Sequence, residues 1–218
     1  MGNLPLDAYE LCHFFPGPRH ASAGERGDAE LVFTTSSFVL NSFRCAKSPP
    51  DLCLVAERSS DHLVFTSFDP ICGRGKEAAR YPIVTTPDAT YAWDLSPDGS
   101  TIAIVLRSQK TIHLLSLSGV APREFSVHGA NSLQSLDWTP DAKALYAATL
   151  TKQGAALLRV ALSGKSQLLW QDYGTTQPFS APFCGGLSVP WAVPSPDGRH
   201  LALPRWQMNA NMWMLQNF

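Results

Sequence analysis

A chain of 218 residues is long enough to bury a sizeable core, and its 44% hydrophobic and 16% charged residues exclude an intrinsically disordered protein. The net charge of −1 provides no basic field, so we predict no nucleic-acid partner. No apolar run approaches the roughly 20 residues of a membrane-spanning helix, and the first residues lack the pattern of a signal peptide.

The N-terminal part of the chain has the weakest pattern. Loop-forming residues dominate 17–28, so we predict an irregular N-terminal segment over 1–28. The β-branched and aromatic residues of 31–35 then predict a strand. We expect 29–40 to act as a closing strand for the last of the repeats described next.

The clearest local pattern is a hairpin at 93–106, with Ser96, Pro97, Asp98 and Gly99 between two apolar strands. Proline presets the first turn dihedral, aspartate bonds the nearby backbone, and glycine accepts a positive φ. Related turns begin at Ser48, Thr139 and Ser195, at intervals of 48, 43 and 56 residues along the chain. A period near 40–50 residues is typical of propellers and other repeat arrays.

Apolar residues recur in the same register after and before each of these anchors. Positions two apart share one face of a strand, so we expect these residues to point inward. The positions six residues after the anchors are Leu54, Ile102, Leu145 and Leu201. Those eight residues after are Ala56, Ile104, Ala147 and Leu203, and those three before are Cys45, Trp93, Leu136 and Ala192.

Each unit continues with a third and a fourth strand, which gives four antiparallel strands in about 45 residues, the composition of a propeller blade. We therefore predict an all-β fold, a propeller-like array of four blades over 29–218. The expected blades are 41–86, 87–129, 130–172 and 188–218, separated in one place by an insertion at 171–187. The fourth blade lacks its outermost strand, which 29–40 would supply. An open array would expose blade edges that favour self-association.

Two turns depart from the pattern. Ala142 stands where Gly99 stands in the first hairpin, and we expect this turn to change type, because a left-handed alanine costs roughly 1–2 kcal/mol. Residues 73–76 are expected to form a basic turn between outer strands. The recurrent Asp98, Asp141 and Asp197 are predicted to serve the turns and not to bind a ligand.

The hairpin with Ser96 to Gly99, preceded by Trp93 and followed by Ile102, Ala103 and Ile104, resembles the WD-repeat-like repeats of TolB-type β-propellers. The stretches 68–80 and 209–218 resemble the C-terminal propellers of bacterial, especially acidobacterial, winged-helix regulators and serine/threonine kinases. The resemblance implies a sensor or interaction role, in the periplasm or the cytoplasm. No kinase or DNA-binding domain is present in the sequence.

The sequence contains no constellation that predicts catalysis. No nucleophile elbow, phosphate-binding loop or kinase motif occurs, and no histidine pair has the spacing of metal ligands. We therefore predict no catalytic residue, no cofactor and no metal. The five cysteines are expected to be buried or incidental thiols, with a Cys45–Cys53 or Cys53–Cys72 disulfide as the alternative in an oxidising compartment.

Aromatic and basic residues give the remaining candidates. Trp93, Trp138, Trp191 and Trp213 lie on predicted strands and are expected in the core. Arginine and tryptophan are enriched in interface hot spots. The last hairpin combines such residues, and its predicted binding residues are Arg199, His200, Arg205 and Trp206.

The sequence predicts a non-catalytic propeller module that binds a protein or a small molecule. It would be a detached or truncated C-terminal sensor part of a bacterial signalling protein. Two alternatives stay open at this point. One is an enzyme, a lyase or a peptidase-associated propeller, which a channel lined by carboxylates or histidines would favour. The other is a fragment without a function of its own.

Overall fold

The computed structural model describes residues 43–48, 52–69, 73–86, 89–152, 154–171, 192–195 and 197–203. The regular secondary structure of these residues consists of β-strands. They include no helix with the length and hydropathy of a membrane span. The irregular segment 1–28, the closing strand at 29–40, most of the insertion at 171–187 and the final stretch 204–218 lie outside the described residues.

The strands form three four-stranded antiparallel sheets and one two-stranded sheet, each in chain order, which we number as blades 1 to 4. Blade 1 contains β1 (Phe43–Cys45), β2 (Cys53–Arg58), β3 (His62–Asp69) and β4 (Gly73–Pro82). Blade 2 contains β5 (Tyr91–Leu95), β6 (Thr101–Leu106), β7 (Thr111–Ser116) and β8 (Arg123–Ser126). Blade 3 contains β9 (Leu133–Trp138), β10 (Ala144–Thr151), β11 (Gly154–Ala161) and β12 (Ser166–Gln171). Blade 4 contains β13 (Val193–Pro194) and β14 (Leu201–Ala202). The all-β, propeller-like array is confirmed.

The core lies between the blades, because both faces of a middle strand are buried. Ile102 and Ile104 of β6 pack with Phe65 and other residues of blade 1. Val105, on the opposite face of the same strand, packs with Leu145 and other residues of blade 3. Full burial of such a side chain contributes about 1.5–3 kcal/mol. Stacking one blade on the next therefore provides the main driving force for this fold.

The anchor predicted for blade 1 is wrong by two residues, and the alignment of its second strand is wrong by one. The amide of Ala46 donates to the carbonyl of Leu52 across the blade 1 turn, as Ser96 donates to Thr101 in blade 2. Ala46, and not Ser48, is therefore the counterpart of Ser96. Because this turn is one residue longer, Leu54 packs toward blade 2 whereas Ile102 packs back toward blade 1.

The residue three positions before each anchor was predicted to point inward. This is confirmed for Trp93, Leu136 and Ala192, which are buried. It is wrong for Cys45, which is exposed. Trp93 and Trp138 are buried as predicted, with 0% and 5% exposure. Trp191 and Trp213 lie outside the described residues.

The turn role of the recurrent aspartates is confirmed. In each turn, one aspartate oxygen accepts a hydrogen bond from the anchor hydroxyl and another from the backbone N–H two residues further on. The hydroxyl donors are those of Ser96, Thr139 and Ser195, to Asp98, Asp141 and Asp197 respectively. The N–H donors are those of Ser100, Lys143 and Arg199, each at 3.1 Å. These bonds lower the pKa of all three carboxyl groups.

Two turn predictions are corrected by the structure. Ala142 has φ 55°, close to the 70° of Gly99, so the turn keeps its type and accepts a left-handed alanine. As in the turn of Gly99, the backbone N–H three residues after the anchor donates to the anchor carbonyl, at 2.9 Å from Ala142 N to Thr139 O. This hydrogen bond holds Ala142 in the left-handed conformation. Residues 73–76 are not a turn between strands, because β4 already begins at Gly73.

A disulfide joins Cys45 to Cys53, so the expectation of free thiols is wrong for this pair. The two residues are direct partners across β1 and β2. Since Cys53 is occupied by Cys45, the Cys53–Cys72 alternative is also wrong. The bond ties β1, which is only three residues long, to the rest of blade 1.

Candidate axial binding site

Each blade has a first strand, and that of blade 2, β5, lies beside those of blades 1 and 3. Each carries a residue two positions before the turn anchor: Arg44 on β1, Asp94 on β5, Asp137 on β9 and Val193 on β13. We call Arg44, Asp94 and Asp137 the axial cluster. The repeat brings them together because equivalent positions of stacked blades fall at equal distances from the axis.

Asp94 is the centre of the axial cluster and accepts hydrogen bonds from three sides. Arg44 Nε donates to Asp94 Oδ1 at 2.9 Å, and the backbone N–H of Leu95 donates to the same oxygen at 3.0 Å. The N–H of Trp138 in blade 3 donates to Asp94 Oδ2 at 2.6 Å. The indole Nε1 of Trp138 donates to the Asp94 carbonyl at 3.3 Å. One side chain therefore connects blades 1, 2 and 3.

Asp137 has much weaker partners. Its Oδ1 lies 3.8 Å from Arg44 Nη2, beyond hydrogen-bond distance, although only 15% of its side chain is exposed. No other polar contact of its carboxyl is found among the described residues. Asp137 is half-buried, so its carboxyl is partly removed from water without a donor among the described residues to compensate.

The pKa values of the Asp94 and Asp137 carboxyl groups are both raised by burial and both respond to the charge of Arg44. Burial raises the pKa of Asp94, while the charge of Arg44 and the N–H groups of Trp138 and Leu95 oppose that rise. Burial raises the pKa of Asp137 well above its ordinary value, the negative charge of Asp94 adds to the increase, and Arg44 opposes it. The three donors around Asp94 match its ionised form, whereas Asp137 is held toward its neutral form.

The chemistry of the axial cluster is ionic recognition or proton exchange. It contains one guanidinium and two carboxyl groups, so it has an excess of acceptors. Within the described ranges, no group of three His, Cys, Asp or Glu residues is suited to hold a metal ion. The described cavities lie elsewhere: a groove of about 310 Å³ between blades 2 and 3 is lined by residues that include Ser96 and Arg123.

Of the four predicted binding residues, the structure describes Arg199 and His200, and these two do not join this cluster. Arg199 and His200 lie in the exposed turn between β13 and β14, where their backbone N–H groups bond Asp197 and Ser195. No described hydrogen bond or ion pair links their side chains to the axis. Arg205 and Trp206 lie outside the described residues.

The axial residues were missed for a specific reason. The two aspartates occupy one repeat position, two residues before Ser96 and Thr139, and that coincidence is visible in the sequence. The incorrect anchor Ser48 places Ala46 at this position of blade 1 and hides Arg44. With Ala46 as the anchor, a charged residue occupies this position in three consecutive repeats.

Comparison with known proteins shows the fold and nothing finer. Neither the protein-family models nor the curated proteins include a match to this chain. A solved structure described as TolB from Agrobacterium tumefaciens is 21% identical with a TM-score of 0.50, over 81% of this chain and 57% of that one. TolB from Acinetobacter baumannii is 16% identical with a TM-score of 0.52, over 78% of this chain and 38% of that one.

A protein described as a 6-phosphogluconolactonase from Bacteroides uniformis is 14% identical with a TM-score of 0.45, over 78% of this chain and 51% of that one. The chain thus spans between 38% and 57% of the length of these three structures. The likeness to the two TolB structures confirms the predicted TolB-like propeller fold. The resemblance to acidobacterial regulators and kinases stays a prediction.

Proposed function

We propose that this chain is a non-catalytic binding module of the propeller type, and that it holds its ligand at the axial cluster. One observation carries the proposal: three stacked blades each place a charged side chain at the axis, and one of these, the half-buried Asp137, accepts no hydrogen bond from the described residues. Rigid stacked blades form a platform on which such a group keeps its position. A ligand that donates to Asp137 would supply a hydrogen bond that the described residues do not.

The test is a nuclear magnetic resonance screen of the ¹⁵N-labelled chain against small cationic, anionic, neutral and peptide fragments. We expect binders to shift the backbone amides of Leu95 and Trp138 and the Trp138 indole, since these N–H groups contact Asp94. Hits that map only to the groove between blades 2 and 3, or no hits at all, would contradict an axial binding function.

The cellular role that we propose is a sensor part of a bacterial signalling protein. It is supported by the resemblance of 68–80 to propellers of regulators and kinases. The Cys45–Cys53 disulfide supports an oxidising compartment such as the periplasm, since thiols stay reduced in the cytoplasm. The genomic reading frame provides the test: a kinase or winged-helix domain encoded in frame upstream supports the role, and an unrelated upstream gene counts against it.

A second candidate function is catalysis with Asp137 as a general acid. The observation that favours it is the raised pKa of a buried axial carboxyl, which is a frequent property of catalytic acids. Turnover of nitrophenyl ester and glycoside panels would be compared between the parent chain and Asp137→Asn. Turnover that the variant abolishes would establish catalysis, and equal background rates in both proteins would dismiss it.

A further inference from the structure

Arg107 follows β6 directly and is held in place by a neutral residue of the next blade. Its Nη2 donates to Gln134 Oε1 at 3.1 Å, and Gln134 Nε2 donates back to the Arg107 carbonyl at 3.1 Å. Gln134 lies on β9 and is buried, with 8% exposure. This reciprocal pair of hydrogen bonds restricts the positions that the guanidinium can take.

The counterpart of Arg107 in blade 1 is Arg58, when the second strands are aligned on their turns. Arg58 Nη1 donates to the Ala89 carbonyl at 2.7 Å, and its Nη2 donates to other carbonyls of the segment between blades 1 and 2. The next residue of that segment, Thr90, accepts from the Arg107 backbone N–H at 2.9 Å, so the two arginines end neighbouring strands at the same end of the array. The segment between blades 2 and 3, 127–132, is described throughout and accepts no hydrogen bond from the Arg107 side chain.

The Arg107 guanidinium therefore has donors left over. A guanidinium carries five N–H groups, and the described residues accept from it at Gln134 Oε1. Its Nε is enclosed and has no hydrogen-bond partner among those residues. Arg44, Arg74 and Arg80 each pair with a carboxylate, and the described residues offer none to Arg107. Burial lowers the pKa of Arg107, which is the effect of desolvation without a counter-charge.

The surroundings of Arg107 are basic as well. The turn 107–110 also carries the exposed Lys110, and Arg58 lies at the neighbouring turn of blade 1. The acidic residue of these two turns, Asp61, has its Oδ1 2.8 Å from His62 Nδ1. The described turns at this end thus present more positive than negative charge, which favours an anionic ligand.

We propose that Arg107 binds an oxyanion, a carboxylate or a phosphate group, between the turns of blades 2 and 3. The site goes beyond the proposed axial function: Asp94 pairs with Ala103, four residues before Arg107, which is about 13 Å along β6. Arg107 is partly exposed, so an anion can approach its side chain from solvent. The fork of a guanidinium matches two oxygens of one anion, and a partly desolvated cation gains more from a counter-charge than a solvated one.

The test is a nuclear magnetic resonance titration of the ¹⁵N-labelled chain with glutarate, with inorganic phosphate, and with agmatine as the cationic probe. Salt at about 0.15 M screens attraction by net charge alone. We expect one or both anions to shift the Arg107 Nε–H and the Gln134 side-chain amide, and agmatine to shift neither. Tighter binding of phosphate would assign the site to phosphate groups, and tighter binding of glutarate would assign it to carboxylates.

Arg107→Gln, followed at the Gln134 side-chain amide, should weaken the anion by about tenfold or more, because a charge-assisted hydrogen bond is lost. Arg123→Gln is the matched control, since it removes the same charge from an exposed position on β8, and it should leave binding unchanged.

Gln134→Glu gives a sharper test, since it keeps the shape of the side chain and places a carboxylate beside Arg107. Followed at the Arg107 Nε–H, this variant should also weaken the anion by about tenfold, because its own carboxylate competes. Thermal unfolding shows that each variant is folded.

The inference is overturned if neither anion shifts these two resonances, or if Arg107→Gln and Gln134→Glu bind as tightly as the parent. It is also overturned if Arg123→Gln weakens binding equally, since net charge would then explain the affinity. The Leu95 and Trp138 amides report on the axial cluster, so a failure of the axial function is seen separately from a failure of this site.

Discussion

The two axial aspartates provide a paired test of how this array is held together. Asp94→Asn removes the charge from a carboxyl that accepts three hydrogen bonds, two of them from other blades. The amide has one acceptor oxygen, and its NH₂ group must face either Arg44 or the Trp138 N–H. Loss of one charge-assisted bond, with a buried donor left unpaired, should lower the free energy of unfolding by about 2–4 kcal/mol.

Asp137→Asn is the same chemical change in blade 3, and we expect it not to lower the free energy of unfolding. No described N–H donates to the Asp137 carboxyl, so the amide loses no hydrogen bond and avoids burying a charge. The variant should be as stable as the parent or more stable by about 1 kcal/mol at pH 7.

The pH dependence of the free energy of unfolding further distinguishes the roles of Asp94 and Asp137. The folded pKa of Asp137 is raised, so the native state binds more protons than the unfolded state between the ordinary and the raised value. The stability contribution of this group therefore falls as pH rises through that window, and Asp137→Asn should remove the fall. Urea unfolding followed by circular dichroism from pH 4 to pH 8 measures both effects. An equal loss of stability in the two variants, or an Asp94→Asn variant as stable as the parent, would refute the reasoning.

Three further predictions concern the turns and the disulfide. Ala142→Gly should raise stability by about 1 kcal/mol in urea unfolding, because glycine accepts the φ of 55° without strain; a destabilised variant would contradict this. Gly164→Ala should cost more than Gly119→Ala in thermal melts, since both have positive φ but only at Gly164 would a Cβ lie 2.4 Å from a backbone oxygen, that of Ser126. Cys45→Ser should lower stability by about 2–3 kcal/mol, from the loss of a short cross-link, and reduction by dithiothreitol should match it; if dithiothreitol leaves the unfolding midpoint unchanged, the disulfide is not formed in solution.

The hairpins were predictable because their causes are local. Pro97, Asp98 and Gly99 determine a turn through their own dihedral limits and a bond within three residues. Blades 1 to 3 also have the third and fourth strands that the repeat predicts, although β4 begins at Gly73, inside the predicted turn. Even Ala142 shows the limit of a local rule, because the hydrogen bonds of its turn outweigh the unfavourable backbone conformation of alanine.

The axial cluster was not predictable from local rules alone. Asp94 and Trp138 are 44 residues apart, and they meet only because blade 3 stacks on blade 2. A two-residue error in the anchor of blade 1 was enough to conceal Arg44, since it assigned Ala46 to the axial position. The hairpin at 93–106 specifies a repeating sheet, and its alternation of side chains specifies which residues are buried. The meeting of Arg44, Asp94 and Asp137 depends on how the blades stack, because hydrogen bonds between separate sheets form only where packing brings donor and acceptor within about 3 Å of each other.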